Sequence, residues 1–244
     1  MSPLWSNRLT VGLFSDGIRV RDGGASASVD SGAIFWPNAA GGEPNSWSQG
    51  VETLQRWIIE AASRRARLDI VISDHFARYF VLPWSSDLTS DDEWLALARA
   101  RVDMTWGNGD SWEVRLDRPR FGSNRLACAM DQDLRRQLLS LKGSGGVAIN
   151  SIQANFTATF NKLCPSVSGS LTLVVVAERT CVTIGSVEDY QWRQVRTLSL
   201  SNSDQQSLGR IIERERLLLG LPADVCVLQS LARDVPTQSA VGTH

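Results

Sequence analysis

Side chains able to do chemistry are few and scattered in this chain. His75 is the one internal histidine, and it sits in Ser73-Asp74-His75, which supplies the three residue types of a hydrolytic triad. A triad needs those groups to converge on one point. Neighbours in a strand or turn point different ways, so the run reads as a turn between two strands. Lys142-Gly143-Ser144-Gly145-Gly146 invites a phosphate-loop reading. A phosphate loop places Gly-Lys-Ser/Thr ahead of a helix; here the lysine comes first and a strand follows, so the run reads as a helix end and its exit loop. The carboxylates of Asp91-Asp92-Glu93 are explained by the positive end of a helix dipole. Glu213-Arg214-Glu215-Arg216 reads as a solvated helix face with weak pairs along it. The four cysteines, Cys128, Cys164, Cys181 and Cys226, contain no CxxC pair and read as buried free thiols rather than a zinc or dithiol site. We expect no catalytic residue, no metal site and no cofactor site from this inventory.

The remaining composition describes a globular protein. At 244 residues with 43% hydrophobic content, the chain can bury a real core. A net charge of −1 gives bulk electrostatics no preference for nucleic acid or an anionic surface. The basic residues are nearly all arginine, with Lys142 and Lys162 the exceptions, which reads as codon bias. The start, Met1-Ser2-Pro3-Leu4-Trp5, has no basic region and no apolar core, so a signal peptide is not expected. The apolar runs are of strand length, short of the roughly 20 residues of a membrane span. A cytoplasmic protein is the expectation.

The elements that must position any site follow from periodicity and caps. Arg8 to Phe14 reads as a strand, Ser15-Asp16-Gly17 as a tight turn and Ile18 to Val20 as the return strand, with a weaker third strand in Ser26 to Phe35. Pro37 to Ser46 is a loop. Ser46 and Gln49 form a capping box for a helix that buries Val51, Leu54, Trp57 or Ile58, and Ala61 and closes on Arg64, Arg65 and Arg67. Leu68 to Ile72 and Tyr79 to Trp84 are strands. Ser90 caps the next helix, Glu93 completes the box, and Trp94, Leu97, Ala98, Arg101 and Val102 follow until Gly107-Asn108-Gly109. Trp112 to Leu116 and Arg125 to Met130 are strands, and Asp131 caps a helix carrying Leu134, Leu138 and Leu141. Val147 to Ile152 is extended. Leu171 to Ala177, Cys181 to Ile184 and Tyr190 to Leu198 are strands. Asp204 to Leu219 is a helix marked by Leu208, Ile211, Ile212, Glu215 and Leu218 and ended by Gly220 and Pro222. Val225 to Leu228 is the last strand. The two ends of the chain thus share one order, strand-strand-strand-helix-strand, without shared sequence.

That duplicated unit resembles the actin-like ATPase fold, an α/β arrangement with mixed sheets. The stretch Ile72 to Phe160 is similar to the PilM family of type IV pilus assembly proteins and to the cytoplasmic region of the type II secretion L protein. The resemblance rests on Tyr79-Phe80-Val81-Leu82-Pro83-Trp84 running into Asp92-Glu93-Trp94-Leu95-Ala96-Leu97-Ala98-Arg99. It continues through Arg125 to Asp131, Gly145-Gly146-Val147-Ala148-Ile149-Asn150-Ser151-Ile152 and Ala158-Thr159-Phe160-Asn161. It implies a first half-unit at 1–75, an inserted middle subdomain at 76–152, a shortened second half-unit at 153–233 and a loose tail at 234–244.

Actin-like ATPases hold phosphates with two hairpins of the form Asp-x-Gly-x-x-x-Ser/Thr, whose glycine lets backbone amides approach the oxygens. Here the first corner has Gly12 but Thr10 where the aspartate belongs. The second, Val175 to Thr183, has no glycine and bends at Glu178-Arg179. The resemblance therefore implies a non-catalytic scaffold that has lost nucleotide binding and docks a membrane-anchored protein of a pilus or secretion machine. ATP with magnesium enters only under the alternative of a slow ATPase. Nine tryptophans are available for contacts. By position in the family, the partner groove would be lined by Phe80, Leu82, Trp84 and Trp94.

Overall fold

A computed structural model describes residues 8–22, 30–35, 47–60, 66–118, 120–167, 169–200 and 208–231. The expected loop at 37–46, the cap Ser46, the helix end at Ala61, Arg64 and Arg65, the helix start at Asp204 and the tail at 234–244 lie outside these residues.

The chain divides into two compact units, one holding residues 1–76 and 130–155, the other 77–129 and 156–244. In the first, β1 (Arg8–Phe14) pairs antiparallel with β2 (Gly17–Asp22), which pairs antiparallel with β3 (Asp30–Phe35). After α1 (Trp47–Glu60) the chain returns as β4 (Arg67–Ile72), parallel to β1. Arg67 thus opens this strand instead of closing the helix before it. α1 turns Val51, Leu54 and Ile58 to the sheet and leaves Trp57 half-buried. Later in the chain α3 (Gln132–Ser140), capped by Asp131, and β8 (Ala148–Ala154) join this unit, β8 extending the sheet parallel to β4. This pairing is why the middle insertion, expected to run through 152, gives up its last helix and strand to the first unit.

In the second unit, β9 (Thr172–Ala177), β10 (Cys181–Glu188) and β11 (Gln191–Ser199) form an antiparallel meander. After α5 (Leu208–Leu218), β12 (Cys226–Leu231) returns parallel to β9. The sheet orders are β3-β2-β1-β4-β8 in one unit and β11-β10-β9-β12 in the other, the first four strands of each sharing one arrangement. The duplication expected from element order is therefore present as a shared topology. β9 and β10 are buried almost throughout, as the all-apolar Leu173-Val174-Val175-Val176-Ala177 requires.

The second unit also holds a three-stranded sheet of order β5-β7-β6, from β5 (Ala77–Leu82), β6 (Trp112–Leu116) and β7 (Arg125–Asp131), covered by α2 (Asp91–Trp106). α2 starts as expected: Ser90 accepts from the Glu93 amide at 3.2 Å while Glu93 reaches back to the Ser90 amide at 3.0 Å. Gly107 ends it at φ +71°, its amide on the Asp103 carbonyl. Phe80, Leu82, Trp94, Ala98, Val102, Val114, Ala127 and Ala129 form the core between helix and sheet.

A second aromatic cluster joins β5 to the meander through α4 (Asn155–Leu163). Tyr79 meets Phe156 with ring centroids 5.4 Å apart, and Trp192 lies 5.6 Å from Phe156 and 4.5 Å from Phe160. Gly185 makes room for it, because a Cβ there would fall 2.7 Å from Trp192 and 2.8 Å from Phe156.

Three expectations change. Leu97 and Leu218 lie off the buried helix faces and are 42% and 65% exposed. Glu215, read as part of a solvated face, is 1% exposed and fixes α5 to the sheet through Arg196 at 3.1 Å, with Arg214 at 3.3 Å. Of the four cysteines only Cys181 is buried, because Cys164 falls in the turn after α4 and Cys226 at the exposed start of β12.

Candidate functional site

The first hairpin corner is where the resemblance places a phosphate hairpin. β1 and β2 are joined by only Ser15 and Asp16, closing on the pair Phe14–Gly17. Residues 12 and 14 share one face of β1, and Arg19 stands directly across from Gly12. A Cβ on Gly12 would overlap Cε2 of Phe14 and lie 3.1 Å from its Cδ2. The glycine therefore admits the phenylalanine ring, which folds back along its own strand. The Arg19 guanidinium stacks on that ring, 4.2 Å from its centroid, and donates to both oxygens of Asp16 at 3.0 and 3.2 Å. The Asp16 side chain is 4% exposed. Ring, cation and carboxylate together cover the glycine through which a phosphate would approach backbone amides.

The second corner, between β9 and β10, is Glu178-Arg179-Thr180. The Glu178 amide donates to the Cys181 carbonyl at 2.8 Å, and the Glu178 side chain is buried. The corner contains no glycine for close approach of an anion to the backbone. Neither corner carries the Asp-x-Gly-x-x-x-Ser/Thr form.

The other sequence candidates resolve into structure. Ser73 leads into a short 3₁₀ turn, Asp74–Phe76, between β4 and β5. The Ser73 amide holds the Leu13 carbonyl at 2.8 Å, and Ser73 Oγ accepts from the backbone of His75 at 3.0 Å. In the glycine loop after α3, Gly145 has φ +56° and packs on α1, so that a Cβ would fall 2.7 Å from the Ile58 carbonyl oxygen. Its glycines serve backbone conformation and close packing. Asp91 pairs with Arg125 at 2.7 Å, and Arg125 stacks over Trp94 at 4.9 Å from its ring centroid. Among the described residues no group of three or more His, Cys, Asp or Glu is placed to hold a metal, and no helix is long and apolar enough to cross a membrane.

The four residues expected to line a partner groove part company. Phe80, Leu82 and Trp94 belong to the core beneath α2, with Trp94 only 3% exposed. Trp84 alone is at the surface, 40% exposed, just beyond the end of β5. Leu97, expected on the apolar stripe, and Met104, not singled out from sequence, lie seven residues apart on one outward face of α2, the latter 88% exposed. The signal was present in their spacing, but the stripe Trp94-Ala98-Val102 and Leu97 overlap in a window read for a single apolar face.

Two polar groups carry structural charge. Asp69 on β4 accepts from Arg8, from Asn150 at 2.6 Å and from Ser151 at 2.6 Å, tying β1, β4 and β8. Burial pushes its carboxyl up, but the hydrogen bonds from Arg8, Ser151 and Asn150 outweigh that and hold it below its ordinary value. Asp117 at the mouth of the β6–β7 hairpin is the opposite case. Burial pushes it up to about 6, against the Leu126 amide and the charge of Arg125.

With duplicated sheets of this order and a middle insert, the chain has the actin-like ATPase fold, and solved structures of that fold match it over most of its length. One is a Bacteroides thetaiotaomicron protein of actin-like ATPase fold and unknown function, with a TM-score of 0.61 at 10% identity over 93% of this chain and 81% of that one. Another is a chain of the PilM–PilN type IV pilus biogenesis complex, with a TM-score of 0.63 at 12% identity over 92% and 81%. A third is the cytoplasmic domain of EpsL, an inner-membrane component of the Vibrio cholerae type II secretion system, with a TM-score of 0.59 at 9% identity over 96% and 87%. No protein-family profile matches the chain, and no curated protein matches its sequence. The resemblance to pilus and secretion proteins holds at the level of fold.

Proposed function

We propose that this chain is a non-catalytic assembly module that works without nucleotide and docks a membrane-anchored protein of a pilus or secretion machine on its cytoplasmic side. The observation that carries the reading is the covered first corner, where Phe14, Arg19 and Asp16 take up the space over Gly12. The second bend, Glu178-Arg179-Thr180 with no glycine, supports it. The partner surface is the outward face of α2, with Leu97 and Met104 as apolar contacts and Arg101 between them. This replaces Phe80, Leu82 and Trp94, whose side chains the core already uses.

Capture of the cytoplasmic segments of pilus and secretion membrane proteins tests the proposal. The parent chain should retain one such segment equally well with and without Mg-ATP. Leu97→Asp with Met104→Asp should release it while leaving the thermal midpoint unchanged. Capture that requires ATP, or that survives both substitutions, contradicts the proposal.

A further inference from the structure

The loop that joins β6 to β7 reads Asp117-Arg118-Pro119-Arg120-Phe121-Gly122-Ser123-Asn124. Its base is pinned on both sides. The Asp117 amide donates to the Leu126 carbonyl at 3.0 Å, and the Leu126 amide donates to Asp117 Oδ1 at 2.9 Å. At the tip the Ser123 amide donates to the Arg120 carbonyl at 3.1 Å, with Gly122 at φ +81° completing the turn. This turn presents Phe121 at 95% exposure.

Phe121 meets the edge of Trp84, with ring centroids 5.7 Å apart. The Trp84 amide donates to Asn124 Oδ1 at 3.0 Å, and Asn124 Nδ2 donates in turn to the Trp192 carbonyl at 2.8 Å. Backbone and amide bonds, rather than burial, hold the pair of aromatics outward. Arg118 and Arg120 are exposed on either side of it. Asp91 is an acid near the loop, its carboxyl held below its ordinary value by the hydrogen bond from Arg125, with Arg118 adding to the effect. Arg118 and Arg125 thus both act on Asp91, which Arg125 already pairs.

We infer that this tip is an interfacial membrane anchor, in which Phe121 and Trp84 enter the headgroup layer of an anionic bilayer and Arg118 and Arg120 engage lipid phosphates. Aromatic rings with basic neighbours suit that depth. An acidic peptide is the other ligand of matching charge, but it needs a concave lining, and a ring exposed at the apex of a hairpin is convex. The inference is independent of the nucleotide reading and of the α2 surface.

Co-sedimentation of the full chain with phosphatidylcholine vesicles, with and without phosphatidylglycerol, tests it. The parent should partition onto the phosphatidylglycerol vesicles and be released by salt. Arg118→Ala and Arg120→Ala should each weaken partitioning about fivefold, and Phe121→Ser about tenfold or more. These side chains are exposed, so the variants should keep the parent's thermal midpoint. Failure of the parent to bind phosphatidylglycerol vesicles, or equal binding by Phe121→Ser, would overturn the inference. So would capture of a polyglutamate peptide in place of vesicles.

Discussion

Gly12→Ala probes the covered corner most sharply. In the interior of a strand, alanine is ordinarily better than glycine by roughly 0.5–1 kcal/mol, since glycine has more backbone freedom to lose. Here the new methyl would land on Cε2 of Phe14. The ring cannot simply swing away, because Arg19 stacks on it at 4.2 Å and is itself held by Asp16 at 3.0 Å. Overpacking of this kind costs about 1–3 kcal/mol. For a chain of this size that lowers the thermal midpoint by roughly 2–10 °C. Phe14→Val removes the ring and keeps a strand-forming side chain. In that background the same Gly12→Ala change should invert in sign and stabilise. Urea unfolding of all four proteins, followed by circular dichroism, gives the double-mutant cycle and a coupling of at least ~1.5 kcal/mol. An identical effect of Gly12→Ala in both backgrounds would refute the ring's place over the glycine.

Other consequences follow from the core and from two of the perturbed carboxylates, Asp117 and Asp69. Asp117 has a folded pKa raised from 3.8 to about 6, so the folded state takes up its proton first and stability falls as pH rises from about 4 through 6. Asp117→Asn keeps an acceptor for the Leu126 amide and should stabilise the protein at neutral pH, with the gain vanishing near pH 4. The pKa interval alone is worth ~3 kcal/mol, and solvent screening of a part-exposed side chain leaves about 1 kcal/mol. A variant whose thermal midpoint tracked the parent at every pH would contradict this. Asp69 runs the other way: its stabilising contribution is present at neutral pH and is lost as pH falls through its depressed pKa. Trp94→Ala should cost about 3–5 kcal/mol by emptying the core beneath α2. Leu97→Asp, one turn away on the outer face, should stay within about 0.5 kcal/mol of the parent. Comparable losses at both positions in thermal unfolding would mean that the helix faces are misassigned.

Local signals were legible where a single element decides the outcome. Ser90 and Glu93 satisfy amides inside one helical turn, so their capping box needs nothing beyond the sequence to form. The duplicated order, three strands, a helix and a strand, was legible because turns and glycines punctuate it at both ends. What required distant partners was not. β5 is buried on both faces, Phe80 and Leu82 under α2 and Tyr79 against Phe156, so alternation could not separate core from contact surface. Pairing of β8 with β4 depends on strands some 80 residues apart in the chain, as the bonds from Asn150 and Ser151 to Asp69 record. Glu215 looked solvated because Arg196, which neutralises it, lies on a different element. At the first corner, Thr10 and Gly12 told of a departure from a phosphate hairpin. That the glycine shelters a phenylalanine ring is a matter of rotamer and stacking, visible only in three dimensions.

Isothermal titration of the full chain with Mg-ATP tests the central claim most directly, with thermal unfolding in parallel. We predict no saturable heat and an unchanged midpoint at every concentration reached. A binding isotherm would contradict the account, accompanied by a stabilisation that grows toward about 2.7 kcal/mol at a hundredfold excess over Kd.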